Sequence, residues 1–291
     1  MNPRSKITGG RVEPLFKALV LGKYSVQFYR CCDTGFIQTE EPYWLPEAYS
    51  AVIHPADVGH VSRNLSMVKV TSAMIERLFG SAGRFLDYGG GTGLFVRLMR
   101  DAGFEFLRAD PFCKNTFSLL FDFDEAAAGA AARFDLLTAF EVFEHLAAPL
   151  DDIAKMFKLS DSILFSTELQ PGNELRSAGD WWYFVPEAGQ HIAFYNRQTL
   201  QFIADHFGAS LHSRDNCLHF LTRDKTRQNP FHQEPVTGGA ERSLFRRVVR
   251  KLTRPFLPVP SVSAAPNGRQ SLIQADFEFV KSKLRNGVAS E

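Results

Sequence analysis

The sequence predicts an α/β protein with a doubly wound, mostly parallel seven-stranded sheet, and three observations carry that expectation. Short apolar strands alternate with amphipathic helices from residue 62 to about 225, several of those strands end in a carboxylate, and a run of glycines separates the first strand from the next helix. In sheets of this kind the ligand sits at the carboxyl ends of the strands.

The elements follow in order. Ser62 is a suitable N-cap, Leu65, Val68, Met74, Ile75 and Leu78 recur at helical spacing, and Gly80 stops the run, which predicts a helix of about four turns. Arg84 to Asp87 is a first strand, and Leu94, Phe95, Leu98 and Met99 form a helical face that ends at Gly103. Phe104 to Ala109 is a second strand leading into Asp110, Thr116 to Phe123 a weakly phased third, and Phe134 to Phe140 a fourth. Pro149 opens a helix with Asp151 and Asp152 near the positive end of its dipole. Ser162 to Thr167 is a fifth strand, and Asn196 caps a helix whose inner face is Leu200, Ile203 and Phe207. Ala209 to Ser213 and Cys217 to Thr222 flank the turn-prone pair Asp215-Asn216, which predicts an antiparallel hairpin.

These elements imply three regions: an N-terminal cap over residues 1–61 without lasting periodicity, a core over 62–225, and a basic, Pro-rich C-terminal extension over 226–291. In the extension, Leu244, Phe245, Val248, Val249 and Leu252 make one helical face while arginines and a lysine make the other. Residues 240–258 read either as a helix on an anionic membrane surface or as one packed on the body with solvated arginines.

Of the 291 residues, 33 are Lys or Arg and 32 Asp or Glu, a net charge of +1. That balance argues against a nucleic-acid partner bound through bulk charge. The start of the chain lacks the apolar core of a secretory signal, and four cysteines (Cys31, Cys32, Cys113, Cys217) are too few for a disulfide framework, so a cytoplasmic location is expected. The composition holds 27 Phe, enough for a thick core or an apolar cleft.

The glycine segment, Phe85 to Gly93, reads FLDYGGGTG. A phosphate-binding P-loop needs a lysine after the glycines, and none is present. The dinucleotide fingerprint would end on Leu94 or Val96, side chains that crowd the contact between strand and helix. What remains is an acid followed by alternate glycines, Asp87, Gly89, Gly91 and Gly93, with Asp110 at the end of the next strand, where a carboxylate accepts hydrogen bonds from ribose hydroxyls. Further on, Phe134 to Leu146 is an apolar strand running into E-V-x-E-H.

These three features in this order resemble class I S-adenosylmethionine-dependent methyltransferases. The segments PYWLPEAYS (42–50), WWYFVPE (181–187) and GQHIAFY (189–195) look like a bacterial subgroup of that family. The resemblance covers roughly residues 28 to 222. It implies S-adenosyl-L-methionine as cofactor and methyl transfer to a small-molecule or glycan acceptor, such as a sugar of surface polysaccharide biosynthesis. Three alternatives stay open: a quinone, a lipid at the membrane surface, or a noncatalytic scaffold that only binds the cofactor.

The resemblance further implies that Asp87, Tyr88, Gly89, Gly90, Gly91 and Gly93 form the cofactor loop and that Asp110 holds the ribose. Pro111, Phe112, Asp122 and Phe123 then belong to the adenine end, and Glu141 and Val142 to the sulfonium end. A general base is sought among carboxylates and histidines near the carboxyl edge. His191, in the loop after the fifth strand, leads, and Glu144 with His145 follow. Glu141, Glu144 and His145 also have the composition of a metal cluster, but magnesium needs six oxygen-rich ligands, so no metal is expected. Tyr43, Trp44, Tyr49, Trp182 and Tyr183 are the candidate acceptor-binding aromatics, since rings with a polar handle suit sugar faces or planar substrates. With Trp181 they read equally as an aromatic lid or as the cap's own core.

Overall fold

A computed structural model describes residues 3–50, 58–80, 83–128, 132–231 and 270–285. In chain order the first strands are β1 (Val12–Val20), β2 (Tyr24–Cys31) and β3 (Ile37–Thr39), followed by the short helix α1 (Leu45–Ala48) and the long helix α2 (His60–Leu78). Then come β4 (Arg84–Tyr88), α3 (Leu94–Asp101), β5 (Glu105–Ala109), α4 (Glu125–Ala128), β6 (Leu136–Phe140), α5 (Pro149–Leu159) and β7 (Ser162–Ser166). The series ends with β8 (Ala193–Phe194), α6 (Arg197–His206), β9 (Ser210–Ser213), β10 (Leu218–Thr222) and α7 (Ile273–Arg285).

The doubly wound sheet has the order β5-β4-β6-β7-β10-β9. Its first four strands are parallel, and β10 runs antiparallel to both β7 and β9. Among the described residues it has six strands, not the expected seven. The missing one is Thr116 to Phe123, which contributes a single parallel bridge between Arg108 and Asp122. That segment cannot run extended, because Asn115 Oδ1 accepts from both the N–H and the hydroxyl of Ser118, and Leu120 adopts φ +69°. The hairpin around Asp215 forms as expected, with the Asp215 carboxylate accepting from the N–H groups of Cys217 and Leu218.

The N-terminal region is more regular than its sequence reads. β1, β2, β3 and β8 form an antiparallel sheet whose register shifts between Pro14 and Phe16. Pro14 and that shift break the alternation by which strands are recognised. Phe16, Phe28, Trp44, Trp181, Phe184 and Phe194 pack on this sheet, with the Phe16 and Phe28 rings stacked at 4.7 Å. A second core lies against the doubly wound sheet and includes the stacked pair Phe143 and Phe165 at 3.9 Å. Much of the Phe excess is therefore core, each buried ring contributing about 1.5–3 kcal/mol.

α7 returns to the body and covers α3. Asp276 accepts from Arg100 at 2.6 Å and from Arg97 at 2.9 Å, and the Phe279 ring lies 5.7 Å from that of Phe121. The basic helix expected within 240–258 lies outside the described residues. Among the described residues no helix is long and apolar enough to cross a membrane.

Candidate active site

β4 delivers the chain into the glycine loop, and α3 begins immediately after it. Gly89, Gly91 and Gly93 all have positive φ (67°, 53° and 82°), a region that side-chain-bearing residues enter at a cost of roughly 1–2 kcal/mol. They differ in what surrounds them. A Cβ on Gly89 would lie 2.7 Å from Val142 Cγ2, and one on Gly93 only 2.3 Å from Ser118 Oγ, whereas one on Gly91 would meet no atom within 4 Å. A side chain on Gly91 would thus enter open space at the cleft, while one on Gly89 or Gly93 would collide with the protein's own side chains.

The loop is held from beneath by Arg108, a residue of β5 that is 4% exposed. Its guanidinium donates to Gly91 O at 2.6 Å, to Cys113 O at 3.0 Å and to Asp122 Oδ1 at 2.6 Å. Asp110, two residues on, accepts from Gly91 N at 2.8 Å through one oxygen and from Phe112 N and Cys113 N through the other. A carboxylate oxygen accepts two hydrogen bonds, so Oδ1 is filled and Oδ2 keeps one site for a hydroxyl donor.

A cleft of about 410 Å³ opens in front of the loop. One wall is Asp87, Gly89, Gly90, Gly91 and Thr92, and α2 supplies another through Asn64 and Met67. Glu141, His145, Trp182, Tyr183, Gln190 and His191 also line it, as do His60 and Arg63 of α2. The Thr92 hydroxyl is buried there with no hydrogen-bond partner, as a site built for a polar ligand would have it. The loop, the opening at Gly91 and this orphan hydroxyl fit a nucleoside-type cofactor.

Asp87 is fully buried and accepts from Thr138 Oγ1 at 2.6 Å. Burial pushes its pKa up to about 7. Between about pH 4 and 7 the unfolded chain carries this carboxylate ionised while the folded protein keeps it protonated, so its contribution to stability falls as pH rises and levels off above 7. We expect Asp87→Asn to gain on the wild type by up to roughly 4 kcal/mol between pH 4 and 8. Urea unfolding of the cofactor-free protein at both pH values checks this; a constant difference would refute it.

At the end of β6 Glu141 has φ +54°, unusual for a side-chain-bearing residue. Ser166, at the end of β7, accepts from Glu141 N at 2.8 Å and donates to Glu141 Oε1 at 2.7 Å, which holds the carboxylate at the cleft. Glu144 follows in a single 3₁₀ turn. It is completely buried with the hydroxyls of Tyr183 and Thr167 as its nearest donors, and burial, reinforced by the Glu141 charge, pushes its pKa up to about 8. The backbone bond from Ile192 N to Glu144 O, 2.9 Å, brings this turn beside His191. Burial lowers the pKa of His145 to about 4 and of His191 to about 3, so both rings are neutral at physiological pH.

The sequence-derived candidates divide accordingly. Asp87, Gly89, Gly90, Gly91, Glu141, His145, Trp182, Tyr183 and His191 line the cleft. Glu144 lies behind His145, 4.0 Å from its Nε2, and Tyr49 reaches His145 Nδ1 through its hydroxyl at 3.0 Å. Tyr88 packs against the main core, and Val142 lies beneath Gly89. Trp44 is buried on the antiparallel sheet, its Nε1 donating to Gly189 O at 2.8 Å, and Tyr43 stacks edge-on to it from the surface. Asp122 is engaged by Arg108 and Asn115, Phe123 packs on Phe134, and Phe112, beside Pro111, is 93% exposed. None of these last six residues borders the cleft as it stands. Sequence reasoning missed Arg108, whose charge inside an apolar strand was the available signal, Thr92 and Gln190, which stand inside the glycine and GQH segments, and Asn64 and Met67, for which there was none.

A family model described as a methyltransferase domain matches residues 63–214, just over half of the chain. No curated protein matches the sequence at a significant level. Among solved structures, the chain is similar to magnesium protoporphyrin IX methyltransferase from Synechocystis PCC 6803, with 13% identity and a TM-score of 0.40 over 61% of this chain and 90% of that one. It is also similar to a plantazolicin methyltransferase (10%, TM-score 0.40, 58% and 76%) and to an O-methyltransferase family protein from Burkholderia thailandensis (13%, TM-score 0.38, 63% and 68%). The matched segment runs from α2 through the glycine loop, Asp110 and Glu141 to His191, and it assigns the chain to the methyltransferase-domain family, as a class I S-adenosylmethionine-dependent methyltransferase.

Proposed function

We propose that the chain methylates an oxygen or nitrogen of a small polar acceptor, of which a sugar is the best-fitting class. The observation that supports this reading most is the composition of the cleft wall facing the glycine loop: Trp182 and Tyr183 beside Gln190, His145 and His191, flat rings interleaved with hydrogen-bonding groups. Gly89, Gly90, Gly91 and Asp110 would hold S-adenosylmethionine. When bound, it supplies a methyl group on a sulfonium, whose S–C bond breaks with both electrons retained by sulfur.

The protein's own contribution is alignment and proton handling. His145 and His191 each have Nδ1 against a backbone carbonyl, Gln190 O at 3.0 Å and Tyr183 O at 2.7 Å. A carbonyl only accepts, so His191 carries its hydrogen on Nδ1 and leaves Nε2 as a lone pair, whereas His145 Nδ1 also has the Tyr49 hydroxyl at 3.0 Å. That lone pair on His191 accepts a hydrogen bond from the acceptor's O–H or N–H and so turns the nucleophilic lone pair toward the methyl group. With its pKa near 3, His191 is an orienting group and a weak base on its own.

Calorimetry with S-adenosylhomocysteine and a mass-spectrometric screen of sugar and other small acceptors test the proposal. We expect the wild type to bind S-adenosylhomocysteine and Asp110→Ala to bind it at least about tenfold more weakly. His191→Ala should keep the wild-type affinity and lose about 100-fold in turnover. Unchanged turnover would remove His191 from this role, and methyl transfer confined to large or apolar acceptors would overturn the substrate class.

A further inference from the structure

We propose that the turns at residues 5–10 and 31–36 form the framework of a zinc knuckle in which hydroxyls and one thiol take the place of the metal ligands, and that this hydrogen-bonded cluster joins the antiparallel sheet to the body. The inference concerns the N-terminal region and is independent of the cleft and its acceptor.

The two turns share one backbone pattern, with Ser5 matching Cys31, Thr8 matching Thr34, Gly9 matching Gly35 and Gly10 matching Phe36. The carbonyl of the first residue accepts from the glycine N–H, Gly9 N to Ser5 O and Gly35 N to Cys31 O, both at 2.9 Å. The N–H of that first residue returns to the carbonyl of the sixth, Ser5 N to Gly10 O at 3.0 Å and Cys31 N to Phe36 O at 2.7 Å. Gly9 and Gly35 have φ of 69° and 73°. Each threonine Oγ1 accepts from the N–H two residues on, that of Gly10 at 3.0 Å and that of Phe36 at 3.4 Å.

Ser5-x-x-Thr8 and Cys31-x-x-Thr34 have the spacing of the two ligand pairs of a structural zinc site. The distances agree with that comparison. Four sulfurs at about 2.3 Å from a tetrahedral zinc stand about 3.8 Å from one another. Thr8 Oγ1, on one turn, lies 3.5 Å from Cys31 Sγ on the other, and the hydroxyls of Ser5 and Thr34 are within hydrogen-bond reach of the same sulfur. Ser5, Cys31 and Thr34 are all buried.

The donor set does not suit the metal itself. Zinc takes thiolate, imidazole or carboxylate ligands, and three hydroxyls with one thiol do not supply four of these. Hydrogen bonds close the cluster instead. Thr8 gives its hydroxyl hydrogen to Asp33 Oδ2 at 2.6 Å, so the Cys31 thiol is the donor to Thr8. Ser5 Oγ accepts from Ile7 N at 3.3 Å and Thr8 N at 3.2 Å, which fills its acceptor sites and leaves its hydrogen for the Cys31 sulfur. A buried polar cluster paired in this way rigidifies the structure around it.

The cluster lies where the antiparallel sheet meets the body. Ile7, Cys31 and Phe36 belong to the main core, and the Phe36 ring lies 5.1 Å from that of Tyr195. From the start of α6, Asn196 Nδ2 donates to Thr34 O at 2.8 Å and Gln198 Nε2 to Asp33 O at 2.9 Å. Gln170 Nε2 donates to Gly35 O at 3.0 Å. The second turn therefore carries the contacts to the body, and the first closes over it. Counting cysteines does not reveal this framework, because one of its four ligand positions holds a thiol.

The test is conversion of the cluster into the metal site. In a Cys32→Ser background, which removes the neighbouring exposed thiol, the full chain carrying Ser5→Cys, Thr8→Cys and Thr34→Cys is titrated with Co²⁺ and then with Zn²⁺. We expect one equivalent of cobalt per chain with the intense visible absorption of tetrahedral thiolate coordination, displacement by zinc, and a melting temperature raised at least about 5 °C by zinc. Should that variant not fold, Ser5→Cys with Thr8→Cys supplies three thiolates together with Cys31 and is expected to give a tetrahedral cobalt band at one equivalent. The wild type should give no such band, and neither zinc nor a chelator should move its melting temperature. Folded variants without tetrahedral cobalt would overturn the framework, and stoichiometric zinc in the wild type would overturn its closure by hydrogen bonds. Thr34→Val, which keeps the side-chain shape and removes the hydroxyl, should melt about 2–4 °C below the wild type; an unchanged melting temperature would overturn the joining role.

Discussion

Replacing Arg108 by methionine is expected to lower the stability of the protein by about 2–4 kcal/mol and to weaken S-adenosylhomocysteine binding at least tenfold. The guanidinium is buried and makes three contacts that no other side chain could make together: Gly91 O in the glycine loop, Cys113 O in the loop after β5, and the Asp122 carboxylate. Methionine fills much of the same volume but leaves two carbonyls without a donor and Asp122 without a counter-charge. Breaking a buried ion pair from one side costs about 3–5 kcal/mol. Because Asp122 is 47% exposed and can be rehydrated, the lower figure is appropriate here. Affinity falls with stability because the same contacts fix the loop that would carry the cofactor. Arg108→Lys should recover little, since an ammonium cannot reproduce the planar fork. Urea unfolding and calorimetry check both effects; a destabilised variant with unchanged affinity would show that Arg108 supports the fold alone.

The weight carried by Arg108 also explains where the sequence was readable. β4, the glycine loop and α3 are encoded within a few residues of one another, by an apolar run, backbone positions that favour glycine and an amphipathic face, so they could be located directly. The same holds for β6 and the Glu141 to His145 turn. The expected third strand failed because its polar residues are spent on Arg108 and on the Asn115–Ser118 turn, contacts that periodicity does not register. The antiparallel sheet was hidden because Pro14 and the register shift break the alternation of β1, and because the last strand, β8, joins β3 only through the fold, pairing Phe194 with Ile37.

The aromatic segments show the same limit at single-residue scale. Trp181 is 6% exposed and belongs to the core of the antiparallel sheet, while its neighbour Trp182 is 72% exposed and borders the cleft. Composition gave both residues the same two meanings, and the change from extended backbone at Trp181 to the 3₁₀ turn that begins at Trp182 assigns one meaning to each. The meeting of Glu144 with His191 is likewise a product of tertiary structure, made by the backbone bond from Ile192 N to Glu144 O.

Two alanine substitutions within the glycine motif should fail in different ways. Gly93→Ala is expected to destabilise the protein by about 2–4 kcal/mol, because it combines a left-handed backbone position with overpacking. The new methyl group would lie 2.3 Å from Ser118 Oγ and 2.7 Å from Asn115 Oδ1. Those two side chains are buried and hydrogen-bonded to each other, so neither can withdraw without breaking that bond. Gly91→Ala meets no atom within 4 Å, and its cost in stability should be limited to the backbone strain of φ +53°, roughly 1–2 kcal/mol. Its methyl group instead occupies the opening in front of the loop, so S-adenosylhomocysteine affinity should fall at least tenfold in a protein that remains folded. Thermal unfolding and calorimetry on the pair separate the two failures. A Gly91→Ala protein that binds like the wild type would mean that the cofactor does not rest on this loop, and a Gly93→Ala protein of wild-type stability would mean that the Asn115–Ser118 turn yields more readily than its buried hydrogen bonds imply.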